Sequence, residues 1–549
     1  MRKDRRGVIL PVVLLILTLL GLLGAMFAFR VNADLSSTQV VADRLQTRLA
    51  AEAGLERVKL LLRNGRFDME RWYNNPEELH RIIVWMDGGS ETDWGTNEEF
   101  EGDEFAFRFS IVADDPTDDE DFVRFGLTDE ASKVNLNTAT EAQWLKLVRA
   151  ALGDDEETDP VNIVNAILDW RDADATPRGA PGDTEGAYYR KLERPYQVRN
   201  GPFESVEELL LVKGVTGRLL YGEDFDRNGL ITPNEDDGER SFPPDNEDNK
   251  LNRGMYPYLS VHAQELNVSN DNRPRVYLFG EATKLQAELT IAFPDRPDVV
   301  KFIVDATKKP AGGKKSKGKK EEKKDKTPTG EDKKGGDNND PNARAGGDEK
   351  NDPNATAGSN DGGDPKNPGA GGKDKQQTIT SPASLLRERK VGENVVPSPL
   401  TVEDLPLLLD KLTTIKPDQK TIPGLININT APQLVLECID GLSEEQVDAI
   451  LDMRERVGPE AKKTTAWLLA EGVLDLDTFD KIAPQITARA QQFTVESLGY
   501  ADHKGMVTRL QAVLDFTGPI GQTVYYRDIT YLGGHFPIRE EDLERIRAR

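Results

Sequence analysis

The sequence predicts an α+β protein in which a long N-terminal helix packs on an antiparallel sheet, and a large helical insertion divides that sheet. Three observations support this prediction. An uncharged apolar run at residues 8–29 continues into a proline-free segment with helical periodicity. Strand-like alternation occurs before residue 135 and again after residue 490. Between them, the phrase at residues 134–139 recurs at residues 426–431, and each copy leads into a helical pattern.

The N-terminus predicts one membrane-spanning helix. A mostly basic segment at residues 2–6 precedes Gly7, and residues 8–29 carry no charge. Such a run can cross a hydrocarbon core of roughly 30 Å as a helix. Flanking basic residues stay on the cytoplasmic side, so the chain after Arg30 is expected beyond the membrane. The alternative, a cleaved secretory signal peptide, is disfavoured because the run is long and no small-x-small site follows it.

The helical pattern continues past the membrane. Residues 35–63 lack proline and place apolar side chains such as Leu45 and Leu49 at helical spacing. A membrane helix that extends into an amphipathic helix, behind a short basic leader ending in glycine, resembles the N-terminus of type IV pilins and pseudopilins. The resemblance implies that prepilin peptidase cuts between Gly7 and Val8.

One position departs from the usual pattern of that superfamily. Most members carry Glu as the fifth residue after the leader, where its carboxylate pairs with the N-terminal amine of a neighbouring subunit; here the residue is Val12. A buried charge without its partner is costly, so a subunit that lacks this Glu has no need to dock beneath another one. Loss of the Glu is typical of the minor pseudopilin K family of type II secretion, whose members are proposed to cap the pseudopilus tip.

Five segments show the alternation of half-buried strands. Residues 103–112 place Phe105, Phe107, Phe109 and Ile111 on one face. The other four segments are residues 121–125, 492–498, 506–516 and 523–532. A long helix with an antiparallel sheet is the pilin core, and here residues 135–490 separate its early strands from its late ones. The pseudopilin K family is built in the same way.

The insertion contains a repeated helical module. In Val134–Ala139 and in Ile426–Ala431, a short extended stretch leads through Asn and Thr, which are good helix N-caps, into an apolar-periodic segment. Residues 266–270 resemble a degenerate third copy. The phrases DWRDAD, NGPF and ELL-x-VKGV follow the first copy in this order, which resembles the pseudopilin K family. That resemblance covers the leader, residues 129–270 and residues 422–456.

A low-complexity linker interrupts the insertion. Its centre is Gly, Lys, Asp, Asn and Pro with almost no aromatic or branched residues, so it cannot bury enough apolar surface to offset its ordering entropy. Its lysine cluster suits an anionic lipid or polymer, but a solvated linker is the simpler interpretation.

The predicted organisation is a leader (1–7), a transmembrane helix (8–29), its periplasmic continuation (30–66), the first part of the sheet domain (67–134), an inserted helical domain resembling SAM-like or helix-hairpin-helix folds (135–304), a disordered linker (305–395), a second helical module (396–490) and strands completing the sheet (491–549).

Residues 224–235 match the EF-hand calcium loop D-x-[DN]-x-[DN]-G-x5-E at every specified position. Such a loop takes side-chain oxygens from alternate positions and one backbone carbonyl, and its glycine allows a sharp turn. The expected ligands are Asp224, Asp226, Asn228, the Leu230 carbonyl, Thr232 and Glu235, with Gly229 at the turn. The family resemblance supports a structural calcium ion, because pseudopilin K proteins hold calcium in this helical domain.

The surroundings of the loop leave alternatives open. Residues 216–221 suit a preceding helix, but Pro233 and the pair at 243–244 argue against a regular following one. An acidic turn around Asn228-Gly229 without an ion is the simpler alternative. A second cation has candidate ligands downstream that no spacing fixes, namely Asp236, Asp237, Asp245, Glu247 and Asp248.

Composition and motifs disfavour other classes of protein. The formal net charge of −25 opposes a large nucleic-acid interface, because phosphates would be repelled. One cysteine, Cys438, excludes an intrachain disulfide and a thiolate zinc site. No common hydrolase, metalloprotease, C-x-x-C or Walker pattern occurs in a credible context, so no catalytic residue is expected. Asp169, Asp172 and Asp174 are explained by helix capping and solvent exposure, or they assist a cation site.

A membrane-anchored DNA receptor is the strongest rival function. The Asn-Thr-Ala helix with a Gly-Leu-Ser turn resembles the helix-hairpin-helix of competence DNA receptors. DNA-binding hairpins use a Gly-x-Gly turn to bring backbone amides to phosphate. Here the turns at residues 214–216 and 441–443 lack the second glycine, and Asp440, Glu444 and Glu445 surround the later one.

The resemblance therefore implies a non-catalytic minor pseudopilin of the inner membrane, with a short cytoplasmic N-terminus and most of the chain in the periplasm. Its expected partners are I- and J-like minor pseudopilins, the major pseudopilin, the inner-membrane assembly platform and prepilin peptidase, and nucleic acid is not expected. Calcium is the one expected cofactor. The expected role is to cap the pseudopilus tip and to start its assembly for export of folded proteins.

Overall fold

The computed structural model describes residues 9–86, 106–114, 123–153, 158–178, 185–307, 379–533 and 536, apart from 225, 230, 239, 242–244, 246–247, 249, 392–393, 503 and 519. Within these residues the helices are α1 (Ile9–Gly65), α2 (Met69–Trp72), α3 (Pro76–Leu79), α4 (Glu141–Leu152), α5 (Pro160–Arg171), α6 (Gly186–Tyr189), α7 (Gly217–Tyr221), α8 (Ala282–Ala292), α9 (Pro297–Thr307), α10 (Leu405–Lys411), α11 (Gln433–Glu437), α12 (Glu444–Arg456), α13 (Trp467–Ala470) and α14 (Leu476–Ile482). The strands are β1 (Ile82–Met86), β2 (Ala106–Asp114), β3 (Val123–Arg124), β4 (Thr128–Asp129), β5 (Val134–Asn135), β6 (Leu259–Ser260), β7 (Gln264–Leu266), β8 (Val276–Tyr277), β9 (Arg389–Val391), β10 (Asn394–Val396), β11 (Leu412–Thr413), β12 (Thr421–Pro423), β13 (Ile426–Asn427), β14 (Ile486–Thr487), β15 (Gln492–Ala501), β16 (Met506–Asp515) and β17 (Gln522–Asp528).

Helix α1 runs unbroken for 57 residues, because its only proline, Pro11, lies in the first turn, where a missing backbone N–H costs little. Its apolar side chains are exposed from Leu10 to Phe29. By length and composition, it is the one helix in the described part of the chain that could cross a membrane. The buried face of α1 begins only at Asp43, so the two halves of this helix face different surroundings.

The main sheet joins strands from both sides of the insertion. Its order is β1-β2-β15-β16-β17, and β3 pairs with β2 while β4 pairs with β15. All of these pairings are antiparallel, and β15 contacts the early strands twice, with Glu496 opposite Val112 and Phe493 opposite Asp129. The predicted α+β class, with an N-terminal apolar helix and an antiparallel sheet divided by a helical insertion, is confirmed.

Glycines let α1 lie directly on this sheet. A Cβ atom at Gly499, on β15, would lie 2.0 Å from the Thr47 carbonyl oxygen and 2.4 Å from the Ala51 amide nitrogen. A Cβ atom at Gly54, on the helix, would lie 2.4 Å from the Ser497 hydroxyl. The helix backbone therefore approaches the strand more closely than any side chain would permit.

The last predicted strand ends earlier than its sequence suggests. Strand β17 stops at Asp528, and Thr530–Leu532 form a short 3₁₀ helix instead of continuing the strand to residue 532. The Asp528 carboxylate accepts a hydrogen bond from the Thr530 amide at 3.1 Å. This local side-chain bond turns the chain out of the sheet.

On β2, three of the four residues predicted to share one face, Phe107, Phe109 and Ile111, are buried. The fourth, Phe105, lies outside the described residues.

Three helical modules make up the insertion. Each begins with a two-residue strand that pairs in parallel with a strand much later in the chain: β5 with β6, β13 with β14 and β8 with β11. Each then continues into two helices, which are α4 and α5, α11 and α12, and α8 and α9. The first two modules share one hydrophobic core, and the third has its own.

The prediction that residues 266–270 form the third copy is wrong. Leu266 belongs to β7, which pairs antiparallel with β12. The third module begins instead at Val276, where the chain lacks the Asn-Thr-Ala phrase. Its helices fill a separate core with apolar side chains alone, so no polar phrase marked it in the sequence.

Buried asparagines explain the repeated phrase. The Asn135 side-chain oxygen accepts a hydrogen bond from the Asn137 amide at 2.8 Å, and Asn427 does the same for Asn429 at 3.1 Å. An arginine at the end of the second helix then donates to carbonyl oxygens of the phrase, Arg171 to that of Ala139 at 3.0 Å and Arg454 to that of Ala431 at 2.7 Å. These bonds satisfy backbone groups that would otherwise be buried without partners.

The predicted linker is wrong at its C-terminal boundary. Pro382–Leu386 form a 3₁₀ helix, and β9 and β10 pair as a hairpin, all before residue 397. The Ser381 and Ser384 hydroxyls both donate to the buried Asp480 carboxylate at 2.6 Å, which ties this segment to α14. Residues 308–378 lie outside the described residues, and helix α9 ends just before them at Thr307.

Candidate metal site

The predicted calcium loop directly follows helix α7. The Thr216 side chain caps α7 by accepting a hydrogen bond from the Leu219 amide, and the helix ends at Tyr221, directly before Gly222, whose φ is +65°. In the loop, Arg227 and Gly229 have φ values of +56° and +73°. Gly229 occupies the position at which the EF-hand loop needs a glycine. Among the described residues from 231 to 255 no helix follows, as the prolines there suggested.

Three carboxylates of the loop converge. Asp224, Asp226 and Glu235 each offer an oxygen within 4.8 Å of the oxygens of the other two. Asp224 and Glu235 are buried, as is Asn228 between them in the chain. Gathering negative charge away from water is unfavourable unless a cation or a proton joins it. Carboxylate, amide and hydroxyl oxygens are the ligands that Ca²⁺ takes.

Hydrogen bonds within the loop hold these carboxylates in place. The Asp224 carboxylate accepts from the amides of Asn228 and Gly229, both at 3.1 Å. The Asp226 carboxylate accepts from the Asn228 amide at 3.0 Å and from its side-chain nitrogen at 3.1 Å. At the other end of the loop, the Thr232 hydroxyl and amide both donate to Glu235, at 2.7 and 3.0 Å. Leu230, the expected carbonyl ligand, lies outside the described residues.

The electrostatics of the loop favour a positive ion. Burial and, after it, the nearby Glu235 carboxylate raise the pKa of Asp226 to about 6, although Arg509 opposes the shift. A raised carboxyl pKa shows that the site disfavours another negative charge. A divalent cation between the carboxylates would offset this repulsion and favour their ionised forms.

Side chains from outside the loop fix its backbone. The Arg509 guanidinium, from β16, donates to the Asp226 carbonyl at 2.6 Å and to the Arg227 carbonyl, and it also pairs with Glu496 of β15. The Arg253 guanidinium donates to the Gly229 carbonyl at 2.8 Å. The loop of the insertion is thus anchored to the main sheet by a fully buried arginine.

The candidate ligands for a second ion accept hydrogen bonds from nearby backbone amides and so stabilise turns. The Asp245 carboxylate accepts from the amides of Asp237 and Gly238, both at 2.9 Å, and Asp237 accepts from the Ser241 amide at 3.0 Å. Asp248 accepts from the Lys250 amide at 2.8 Å. Among the described residues, neither these three nor Asp236 joins a group of three acidic ligands, and Glu247 lies outside them.

A second acidic group was only partly anticipated. Asp172, Asp174 and Glu185 bring carboxylate oxygens within 4.8 Å of one another. Burial and, after it, the neighbouring Asp172 carboxylate raise the pKa of Glu185 to about 7. The sequence drew attention to the two aspartates through their spacing, whereas Glu185 was missed because no local pattern links it to them.

Other predicted sites fall at the N-terminus and at the hairpin turns. Gly7 and Val8 lie outside the described residues, and Val12 lies on α1 with its side chain exposed. At the later turn, Gly441 has a φ of +110° and the Lys481 side chain lies against it. The Asp440 amide already donates to Gln485 at 3.2 Å, so this turn does not present its backbone to a phosphate.

Cys438 is packed as an apolar residue. It is buried, and burial raises the pKa of its thiol to about 12. A thiol that stays protonated is a poor nucleophile, which agrees with the interpretation of Cys438 as a small core residue.

Comparisons with known proteins address the family. Two family models match the chain, both described as type II secretion system (T2SS), protein K, at residues 124–221 and 426–489. No curated protein matches the chain. Among solved structures it is similar to a chain of "The Crystal Structure of the GspK-GspI-GspJ complex from enterotoxigenic Escherichia coli Type 2 Secretion System", at 11% identity over 90% of this chain and 98% of that chain, with a TM-score of 0.35.

A likeness that weak carries no argument about shape, so the family rests on the two matched segments. They contain the first and second helical modules with their Asn-Thr-Ala phrases. Members of this family are structural components of the secretion machinery. The first and second helical modules of the chain therefore match the type II secretion system protein K family.

Proposed function

We propose that this pseudopilin is cut between Gly7 and Val8 and is held in the inner membrane by the apolar half of α1, with the rest of the chain in the periplasm. The exposed, uncharged face from Leu10 to Phe29 supports this anchor. Mass spectrometry of the native protein is expected to find Val8 as the first residue. A start at Met1 or beyond Phe29 would contradict the proposal.

The subunit is proposed to occupy the pseudopilus tip and to initiate assembly for export of folded proteins across the outer membrane. The observation that carries this proposal is Val12, which replaces the carboxylate that would pair with a neighbouring subunit's N-terminal amine. Without that pairing, no subunit is held above this one. Family membership supports the same role.

Labelling and substitution test the tip position. Immunogold labelling of pseudopili is expected to find this subunit only at filament ends, and labelling along the shafts would overturn the proposal. The Val12→Glu variant is expected not to extend filaments above this subunit, because its bulky insertion still occupies that end. Val13→Glu, one residue further along the exposed helix, is the matched control for adding a charge to the apolar segment.

The partners proposed at the tip are I- and J-like minor pseudopilins, followed by the major pseudopilin and the assembly platform. Beyond the membrane, α1 exposes apolar side chains that the sheet does not cover: Leu35, Val41, Leu45 and Leu49. An uncovered apolar face on a helix suits another helix. The Leu45→Asp/Leu49→Asp variant is expected to lose co-purification with both partners, whereas Lys59→Ala is expected to keep it.

Calcium is proposed as a structural ion in the loop at residues 224–235. Three converging carboxylates, two of them buried, support this site, and Thr232 and Asn228 supply further oxygens. Adding Ca²⁺ to the chelated full-length protein in detergent is expected to raise its melting temperature by several degrees. Glu235→Gln is expected to weaken this response, and Glu239→Gln, which changes a nearby Glu outside the motif, to preserve it. A melting temperature that does not respond to calcium would refute the proposal.

A further inference from the structure

Strand β17 forms one edge of the main sheet. It pairs with β16 on one side, and within the described part of the chain no strand pairs with its other side. Every residue of β17 is at least partly exposed, whereas the residues of β15 and β16 are mostly buried. The outer side of β17 therefore offers backbone amides and carbonyls to another chain.

The sequence of β17 does little to protect this edge. Natural edge strands prevent unwanted pairing with charged residues, prolines or bulges. Residues 522–526 read Gln-Thr-Val-Tyr-Tyr, without charge or proline, and Thr, Val and Tyr favour strands. A register shift beside Val513 leaves Tyr525–Asp528 regularly paired with β16. Val524 and Tyr526 are 46% and 43% exposed, so this edge has the composition of a strand that binds a partner.

The two faces of β17 have different neighbours. On one face, the Arg48 guanidinium of α1 donates to the Tyr526 hydroxyl at 3.5 Å. On the other face, the Arg527 guanidinium donates to the Glu207 carboxylate of the insertion at 3.0 Å. Side chains alternate along a strand, so the insertion covers one face of β17. The exposed Tyr526 side chain belongs to the face beside α1.

The exposed apolar face of α1 reaches this edge through Arg48. Leu45 lies about one helical turn before Arg48, and Leu49 lies about one turn after Leu45. Both leucines are exposed, at 57% and 45%. The surface proposed above to receive a neighbouring helix therefore continues past Arg48 to Val524 and Tyr526 on the edge strand.

The direction of α1 decides which partner fits. The Thr47 hydroxyl bonds that of Thr508 on β16, and one turn later the Ala51 carbonyl accepts from Ser497, which pairs with Leu510 of β16. Helix α1 thus runs in the same direction as β16 and opposite to β17. If two copies of this chain paired antiparallel through β17, their α1 helices would point in opposite directions, which one membrane cannot hold. Parallel pairing would place the two helices on opposite faces of the joined sheet.

We propose that β17 pairs with an edge strand of the minor pseudopilin whose helix packs on Leu45 and Leu49. This inference rests on the proposed function and adds a second element to the same contact. A neighbour anchored in the same membrane, with its helix beside α1, brings its own sheet next to β17. Main-chain hydrogen bonds of the added strand supply affinity, and its alternate side chains contact Val524 and Tyr526.

Co-purification with the I- and J-like pseudopilins of the same secretion system tests the edge. Val524→Lys is expected to reduce the recovery of one of them about tenfold, because a charged edge strand opposes pairing. Val395→Lys is the matched control, since Val395 is a 58% exposed valine of β10, and it is expected to keep both partners. The two variants are expected to melt close to the wild type. Unchanged recovery with Val524→Lys would overturn the inference.

Hydrogen exchange separates this inference from the proposed helix contact. In the complex, the amides of residues 522–528 are expected to exchange more slowly than in the full-length protein alone, because the added strand bonds their backbone. If Leu45→Asp/Leu49→Asp loses the partners but the wild-type complex leaves residues 522–528 unprotected, the proposed function stands and the strand pairing is refuted. If residues 522–528 are protected and Leu45→Asp/Leu49→Asp keeps its partners, the strand pairing stands and the helix contact is refuted.

Discussion

Single residues decide how closely the parts of this protein approach each other. Gly499 lets α1 rest on β15, and Asp129 of β4 connects the sheet to the second helical module. The Asp129 carboxylate accepts from Asn427 at 2.7 Å, from Thr430 at 2.9 Å and from the Ala131 amide at 2.9 Å. The partners of both residues lie hundreds of residues away in the chain: Thr47 and Ala51 for Gly499, and Asn427 and Thr430 for Asp129.

Replacing Gly499 with Ala is expected to destabilise the fold by about 1–3 kcal/mol or more, because the new methyl group would overlap the backbone of α1. Gly458→Ala is the matched control, since a Cβ atom there meets nothing within 4 Å. Chemical denaturation of both variants measures the difference. A Gly499→Ala protein as stable as Gly458→Ala would show that the helix does not approach the strand this closely.

Asp129 predicts a pH dependence of stability. Burial raises its pKa from the ordinary value of 3.8 to about 7, against the effect of its hydrogen bonds. Between these two values the folded protein keeps a proton that the unfolded chain has released, so its contribution to stability falls as pH rises through this window. The slope is at most about 1.4 kcal/mol per pH unit.

Denaturation of wild type and Asp129→Asn between pH 4 and pH 7 checks this sign. The variant is expected to lose less stability than the wild type over this range, because Asn cannot ionise. Asp452→Asn, on the exposed face of α12, is expected to keep the wild-type slope. Equal slopes for wild type and Asp129→Asn would contradict a buried, protonated Asp129.

At the scale of elements, the acidic loop at residues 224–235 is positioned by the sheet. Arg509 of β16 reaches out of the sheet to the carbonyls of residues 226 and 227, and its side chain is 2% exposed. The loop motif alone could be read from the sequence, whereas this anchor could not. The EF-hand spacing fixes ligands within twelve residues, but Arg509 lies far beyond them in the chain.

Arg509→Lys is expected to weaken calcium binding by the loop about tenfold, because a lysine keeps the charge beside Glu496 but lacks the planar guanidinium whose separate nitrogens reach two carbonyls and a carboxylate. Calorimetric titration of the full-length protein measures the affinity. Arg527→Lys, on the edge strand β17, is the control and is expected to bind like the wild type. Equal affinities would show that the loop folds without help from the sheet.

At the scale of the whole molecule, the main sheet pairs strands that precede the insertion with strands that follow it. Asp129 and Phe493 are paired neighbours on β4 and β15, although the entire helical insertion lies between them in the chain. The helix–sheet unit has its own hydrophobic core, built from α1, β2, β15 and β16. Among the described residues, Ala490 is the one member of this core that comes from residues 135–490.

A chain in which a short glycine-rich linker replaces residues 135–490 is therefore expected to keep the helix–sheet unit, at lower stability because Asp129 and Arg509 lose partners. Circular dichroism is expected to show mixed helix and strand and a cooperative thermal transition in detergent. A melt without cooperativity would show that the sheet depends on the insertion to fold.

Local chemistry let the sequence by itself determine the long apolar helix, the strands on both sides of the insertion, the two Asn-Thr-Ala modules and the acidic loop at residues 224–235. Each of these has a period, a cap or a ligand spacing contained within a few residues. Only the tertiary structure decided the third module, the ordered start of the chain after the linker, the Arg509 anchor and the place of Glu185 beside Asp172. These features arise from contacts between distant segments, and burial there depends on the neighbours that folding brings together.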